Sequence, residues 1–210
     1  MTEDEINLLR KEELAFLSEE EDKNGCVQME PPEKIVKLAI RAAAGGECLS
    51  LRGAVLFYTD EEFEMPDGFT VVSTGFNHQP YGFSCSHNNF CKTTCGRTAI
   101  HAEQDALAFT SSEETQMLHV KVSKVKDELT AIAINRPYQS IWMKDHYESY
   151  VLESSGKPSC LECSKLMIRH GVKYMWLYQD EKWFRYSTHR FHKETLNQKI
   201  DYFFHPKADY

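Results

Sequence analysis

The sequence predicts an α/β protein, with helices packed on a mixed sheet. Three observations carry this. Helical periodicity and apolar β-like runs follow the order helix, hairpin, helix, strands, helix, strand, which builds layered sandwiches. Residues 172–178 form a continuous apolar and aromatic run suited to a strand buried inside a sheet. Hydrophobic residues make up 41% of the 210-residue chain, enough for one real core.

The elements follow in order. Residues 1–32 read as an acidic extension, with Ile6, Leu8, Leu9, Leu14, Phe16 and Leu17 allowing one amphipathic helix. It is either a solvated appendage or a partner-binding or autoinhibitory arm. A main domain is expected over residues 33–180. It opens with a helix over 33–44, whose apolar side is Ile35, Val36, Leu38, Ala39 and Ile40 and which Gly45-Gly46 ends. Residues 52–58 and 69–76 read as strands, with Met65-Pro66-Asp67-Gly68 as turn chemistry between them. Residues 101–110 read as a helix, and 117–122 and 129–134 as β-like stretches. Residues 160–170 form the next helix, with Gly171 at the C′ position.

Residues 181–210 form an aromatic and basic C-terminal extension that closes the domain. Lys182-Trp183-Phe184-Arg185-Tyr186 and His189-Arg190-Phe191-His192-Lys193 interleave rings with cations. This pattern suits a terminal strand and helix with charges outside. It also suits a stacking platform for single-stranded nucleic acid.

Charge narrows the partners. Residues 1–33 hold 11 Asp/Glu and 3 Lys/Arg, which accounts for the whole net charge of −8. The electrically neutral remainder poses no barrier to a nucleotide, yet offers no basic excess for a polyanion. No apolar run approaches the ~20 residues that span a bilayer. The start, Met1-Thr2-Glu3-Asp4-Glu5, lacks the basic region of a signal peptide. A cytoplasmic protein without membrane contact is expected. Its seven cysteines should then be reduced, with Cys26 and Cys48 in packing roles.

The chemistry concentrates in two motifs. His101-Ala102-Glu103 is followed far downstream by Pro158-Ser159-Cys160-Leu161-Glu162-Cys163. One His and two Cys make three zinc ligands, leaving a fourth position open as in catalytic rather than structural sites. A two-residue step on a helix turns about 200°, so His101 and Glu103 serve one site only if His101 lies at the helix start. Cys160 and Cys163, three apart, share a face of a helix's first turn. That end of a helix favours thiolate. Two helix N-termini should therefore converge on one catalytic Zn²⁺, with Glu103 moving the protons of a hydrolytic reaction.

H-x-E followed by P-C-x-x-C is the pattern of zinc-dependent deaminases. On these motifs the chain resembles the cytidine and deoxycytidylate deaminase superfamily, in the branch whose first ligand is His. Gly53-Ala54-Val55-Leu56-Phe57 resembles that family's first strand, and His101-Ala102-Glu103-Gln104-Asp105-Ala106-Leu107 its H-A-E-x-x-A-L pattern. Ser73-Thr74-Gly75-Phe76-Asn77 resembles its segment ending in a sugar-contacting Asn. The resemblance implies a three-layer α-β-α sandwich on a mixed five-stranded sheet. It also implies substrate contacts from Asn77 and from the backbone of Ala102. The implied reaction is hydrolytic removal of an amine from a nucleobase, foremost cytosine in a nucleoside or nucleotide. A homo-oligomer is compatible with that family.

Two departures stand out. Ser159 is inserted between Pro158 and Cys160, and 58 residues separate His101 from Cys160, more than is usual in the family. The extra length is expected near the rim of the site, or as a surface hairpin. A polynucleotide deaminase, on cytosine or adenine, is the alternative within the class. A deaminase-fold zinc module without activity is the alternative outside it, and the intact Glu103 weighs against that. Ahead of His101, Cys85, His87, Cys91 and Cys95 offer four ligands for a second, structural zinc. Free thiols with packing or redox roles are the other reading.

Overall fold

The computed structural model describes residues 25–59, 68–80, 85, 87, 98–108, 110, 114–143 and 145–204. Among these, eight strands form one sheet: β1 (Cys26–Gln28), β2 (Leu51–Tyr58), β3 (Thr70–Phe76), β4 (Gln116–Val125), β5 (Tyr138–Met143), β6 (His146–Glu153), β7 (Tyr174–Gln179) and β8 (Lys182–Ser187). Five helices accompany them: α1 (Glu33–Ala44), α2 (Ala102–Leu107), α3 (Glu128–Ala133), α4 (Leu161–Arg169) and α5 (Thr188–Phe204).

The sheet runs β1-β8-β7-β4-β2-β3, and only the β4–β7 pairing is parallel. It is therefore mixed, as expected, but has eight strands rather than five. The added strands come from the two regions whose fold the motifs do not define. The long segment before Cys160 supplies the β5–β6 hairpin, and the chain's two flanks supply β8 and β1.

β4 is the hinge of this arrangement. One edge pairs with β2 along most of its length. The other edge pairs with β7 over Gln116–His119, then with β6 over Lys121–Val125. The inserted hairpin thus continues the sheet beyond β7 instead of lying on the surface. Its distal part is exposed, with Trp142 and Tyr147 in edge contact at 4.9 Å between ring centroids.

Residues 129–134 read as β-like in sequence, yet 128–133 are helical. Asp127 caps this turn by accepting the Thr130 N–H at 2.8 Å. Leu129 and Ile132 stay exposed and only Ala131 is buried, so no sheet face rewards the strand alternative.

Two apolar layers sandwich the sheet. Under α1, Ile35, Val36, Ala39, Ile40 and Ala43 meet Val55, Phe57, Leu118, Val120 and Trp176. Burying each of the larger side chains contributes about 1.5–3 kcal/mol. On the opposite face, Ala54, Leu56, Met117, Met175 and Leu177 meet residues of α2, α4 and α5. One glycine on each face permits this approach. A Cβ on Gly53 would lie 2.2 Å from the Ala39 carbonyl of α1, and one on Gly75 would lie 2.3 Å from the Ala102 carbonyl of α2.

The C-terminal stretch completes the sheet. Trp183 and Tyr186 of β8 are buried, and Arg185 lies 4.3 Å above the Tyr174 ring. The rings are mostly spent on packing. Among the described residues, no helix is long and apolar enough to cross a membrane.

Candidate metal and active site

The sequence places His101 and Cys160 at helix starts, and both occupy N-cap positions with extended backbone, φ −78° and −94°. Three local contacts fix the first half-site. Backbone bonds between His78 and Ile100 anchor the strand-like segment entering His101. The His101 N–H donates to Gln104 Oε1 at 2.9 Å. Asp105 accepts the Phe76 N–H at 3.1 Å, tying α2 to β3. The second half-site is self-capped, since the Cys163 N–H donates to Cys160 Sγ at 3.3 Å. Ser164, buried beneath it, bonds His192 Nδ1 at 2.8 Å and so joins α4 to α5.

These elements bring three ligand atoms together. His101 Nδ1 lies 3.2 Å from both Cys160 Sγ and Cys163 Sγ, and the sulfurs are 2.8 Å apart. The Cys163 thiol bond, together with His101, holds Cys160 down to about 5, while the same bond pushes Cys163 up. The Cys160 thiolate in turn raises His101. Thiolate is the ligating form, so the donor set suits a metal. Zinc at 2.0–2.3 Å from N and S in tetrahedral geometry would spread the ligand atoms to roughly 3.5–3.7 Å. The triangle needs to open by less than about 1 Å to accept it.

Glu103 is buried in the first turn of α2. Burial raises its carboxyl, but His119, its own backbone N–H, His101 and Arg52 outweigh that and leave it below its ordinary value.

The three ligand residues and Glu103 belong to one neighbourhood. His101, Glu103 and Cys160 line a cavity of about 330 Å³, within the range of small-ligand sites. Asn77 lines it too. Its carboxamide oxygen accepts the Arg52 N–H at 2.7 Å and its Nδ2 donates to the Ser50 carbonyl at 2.8 Å. These bonds fix its orientation and leave one donor hydrogen and one lone pair. Ala102 is fully buried. Of the four residues expected to form a second zinc site, Cys91 and Cys95 lie outside the described residues. Cys85 is half-buried and His87 is exposed with φ 49°.

Sequence reasoning missed several residues of the wall: Arg52, His119, Ser155, Lys157, Leu177 and Phe191. Sheet register brings them in. Gly75, Ala54, His119 and Leu177 follow one another across β3, β2, β4 and β7. The first two are small, so α2 sits close to the sheet there. His119 comes next in that row, and its Nε2 lies 3.9 Å from Glu103 Oε1. Burial drives His119 down to about 4 against the pull of Glu103, so the ring is neutral at pH 7.

Ser155 and Lys157 arrive from the end of β6, where the Ser155 N–H bonds the Tyr178 carbonyl at 2.7 Å. The segment that leads from the hairpin to Cys160 therefore builds part of the cavity wall. Phe191 of α5, in edge contact with Tyr186, closes another part.

No family model matches the sequence, and no curated protein matches it. Among solved structures, a dCMP deaminase from the cyanophage S-TIM5, in complex with dCMP and dUMP, is similar to this chain. The TM-score is 0.34 and the identity 18%, over 70% of this chain and 81% of that one. So distant a likeness has no bearing on function.

Proposed function

We propose that the protein is a zinc-dependent hydrolytic deaminase of a nucleobase, foremost cytosine carried by a nucleoside or nucleotide. One observation carries this reading. His101 and Cys160 of a His-Cys-Cys triangle of ligand atoms line one small-ligand cavity together with a buried carboxylate two residues from the histidine, and Cys163 completes the triangle beneath them. His101, Cys160 and Cys163 would hold the metal. Zinc so held supplies Lewis acidity that lowers the pKa of water towards about 7.

The chain's own residues do the rest. Glu103 takes one proton from the attacking water and delivers it to the ring nitrogen, then takes the second from the hydroxyl of the adduct and delivers it to the departing amine. The exchange balances: water adds its oxygen to the ring carbon, and the C–N bond breaks to release ammonia. Burial keeps the carboxylate away from bulk water, so its protons go to the substrate. Leu177 and Phe191 give the base an apolar surface, and the cations Arg52 and Lys157 suit a phosphate or sugar oxygen on the rest of the ligand.

Mass spectrometry of zinc-loaded protein incubated with cytidine, deoxycytidine, their monophosphates, adenosine and short single-stranded oligonucleotides tests this reading. Replacement of an amine by a carbonyl in a cytosine nucleoside or nucleotide, with ammonia released, is expected. Turnover of oligonucleotides alone would transfer the reading to the polynucleotide class. No turnover of any substrate by stoichiometrically metal-loaded protein would sink it.

A further inference from the structure

His119 is a buried polar side chain in a row of apolar ones. Its neighbours across the sheet are Ala54 and Leu177, and it is only 3% exposed. Its Nδ1 is fully buried and has no hydrogen-bond partner among the described residues. Most buried ring nitrogens are paired. An apolar side chain would fill this place without that penalty, as Leu177 does on the adjacent strand. The other nitrogen explains the residue better. Nε2 faces Glu103 Oε1 at 3.9 Å, beyond hydrogen-bond range but one side-chain adjustment away from it. Catalytic hydrogen bonds are commonly long without ligand and tighten when it binds.

The unpaired Nδ1 also selects the tautomer. A buried N–H without an acceptor is rarer and costlier than a bare lone pair. The neutral ring therefore keeps its hydrogen on Nε2, pointed at the carboxylate. A carboxylate that must collect a proton and deliver it at two successive positions needs one oxygen steadied while the other works. Among the described Lys, Arg and His side chains, His119 is the one whose nitrogen approaches a Glu103 oxygen, and it does so as a neutral ring.

We propose that His119 is the positioning residue for Glu103: its Nε2–H holds one carboxylate oxygen so that the other is presented to the reacting ligand. This rests on the deaminase reading for its kinetic consequence, but not for its structural one. His119 touches neither metal nor reacting atoms in this scheme.

Two measurements on full-length, zinc-loaded protein test it. The first is the ¹⁵N spectrum of the His119 ring. A neutral Nε2–H tautomer is expected, with an Nε2 resonance that moves when Glu103 is replaced in Glu103→Ala. An Nδ1–H tautomer, or an Nε2 signal indifferent to Glu103→Ala, overturns the proposal whether or not the protein turns over any substrate.

The second is kinetic. His119→Leu should lower kcat roughly 10- to 100-fold, the loss expected for one hydrogen bond to a charged group. KM, bound zinc and the binding of product nucleotide should change less than about threefold, since none depends on where the carboxylate points. His119→Gln, which keeps an amide N–H near the Nε2 position, should recover much of kcat. Equal kcat in His119→Leu and parent overturns the proposal, as does a Gln variant no better than Leu at equal stability. A parent without turnover refutes the deaminase reading instead, and the spectrum then decides the contact alone.

Discussion

The two faces of β4 carry opposite chemistry. Leu118, Val120 and Val122 enter a hydrocarbon layer beneath α1, whereas Met117 and His119 belong to the face covered by α2, α4 and α5. The first layer is built of aliphatic and aromatic side chains, with the tyrosines Tyr150 and Tyr178 among them. The second buries an imidazole beside a carboxylate, which costs desolvation that packing does not recover. Even the matched glycines differ in consequence. Gly53 lets a scaffold helix approach, and Gly75 lets the helix bearing His101 and Glu103 approach. One face packs as a scaffold, and the other carries a desolvation penalty at His119 and Glu103, the kind of penalty that clusters at functional sites.

Perturbing each face in turn sharpens that contrast. The largest effect is expected from Cys163→Ser on the site face. Stoichiometric zinc should be lost and turnover should fall at least about a thousandfold, because the ligand set is broken. Elemental analysis and a deaminase assay on the same sample check this. On the closed face, Leu118→Ala should cost about 2–5 kcal/mol in denaturant unfolding while kcat per folded molecule stays unchanged. A loss of kcat without loss of stability would contradict the division of the faces.

The glycines make a finer test. Gly53→Ala and Gly75→Ala should each destabilise by about 1–3 kcal/mol, as overpacking does. Only Gly75→Ala should also impair zinc retention and turnover. If both variants lose activity equally, α2 is not positioned by that contact.

Much of this was legible in the sequence. The apolar stripe of 33–44, the strands at 52–58 and 69–76, and the two helix starts at His101 and Cys160 are local patterns, and the structure follows them. What escaped depends on register or on chain length. His119 reads as one polar residue between Leu118 and Val120. Only the β4 register, pairing it with Ala54 and Leu177, brings it under Glu103. The 129–134 stretch has β-like composition, but the Asp127 cap and the lack of a buried face make it helical. The β5–β6 hairpin is sheet because β4 extends past β7 and leaves an edge to be paired, a fact no local window contains.

That hairpin gives the smallest expected effect. Glu148 of β6, held first by Lys124 Nζ at 2.7 Å and then by the Tyr150 hydroxyl, is drawn from 4.5 down to about 2. A lowered carboxylate adds stability above its unfolded pKa and loses it as pH falls through the folded one. Glu148→Gln should therefore slightly lower the melting temperature at neutral pH, and the difference from the parent should vanish as pH falls from about 4.5 towards 2. A difference that persists at pH 2 would show that packing, not charge, docks the hairpin.

The most direct test of the account is a paired measurement of zinc content and deamination in Glu103→Ala. One zinc per chain should be retained, with turnover lowered by roughly 10²–10⁴-fold. A variant that deaminates as fast as the parent would contradict it, since the buried carboxylate would then have no part in moving protons.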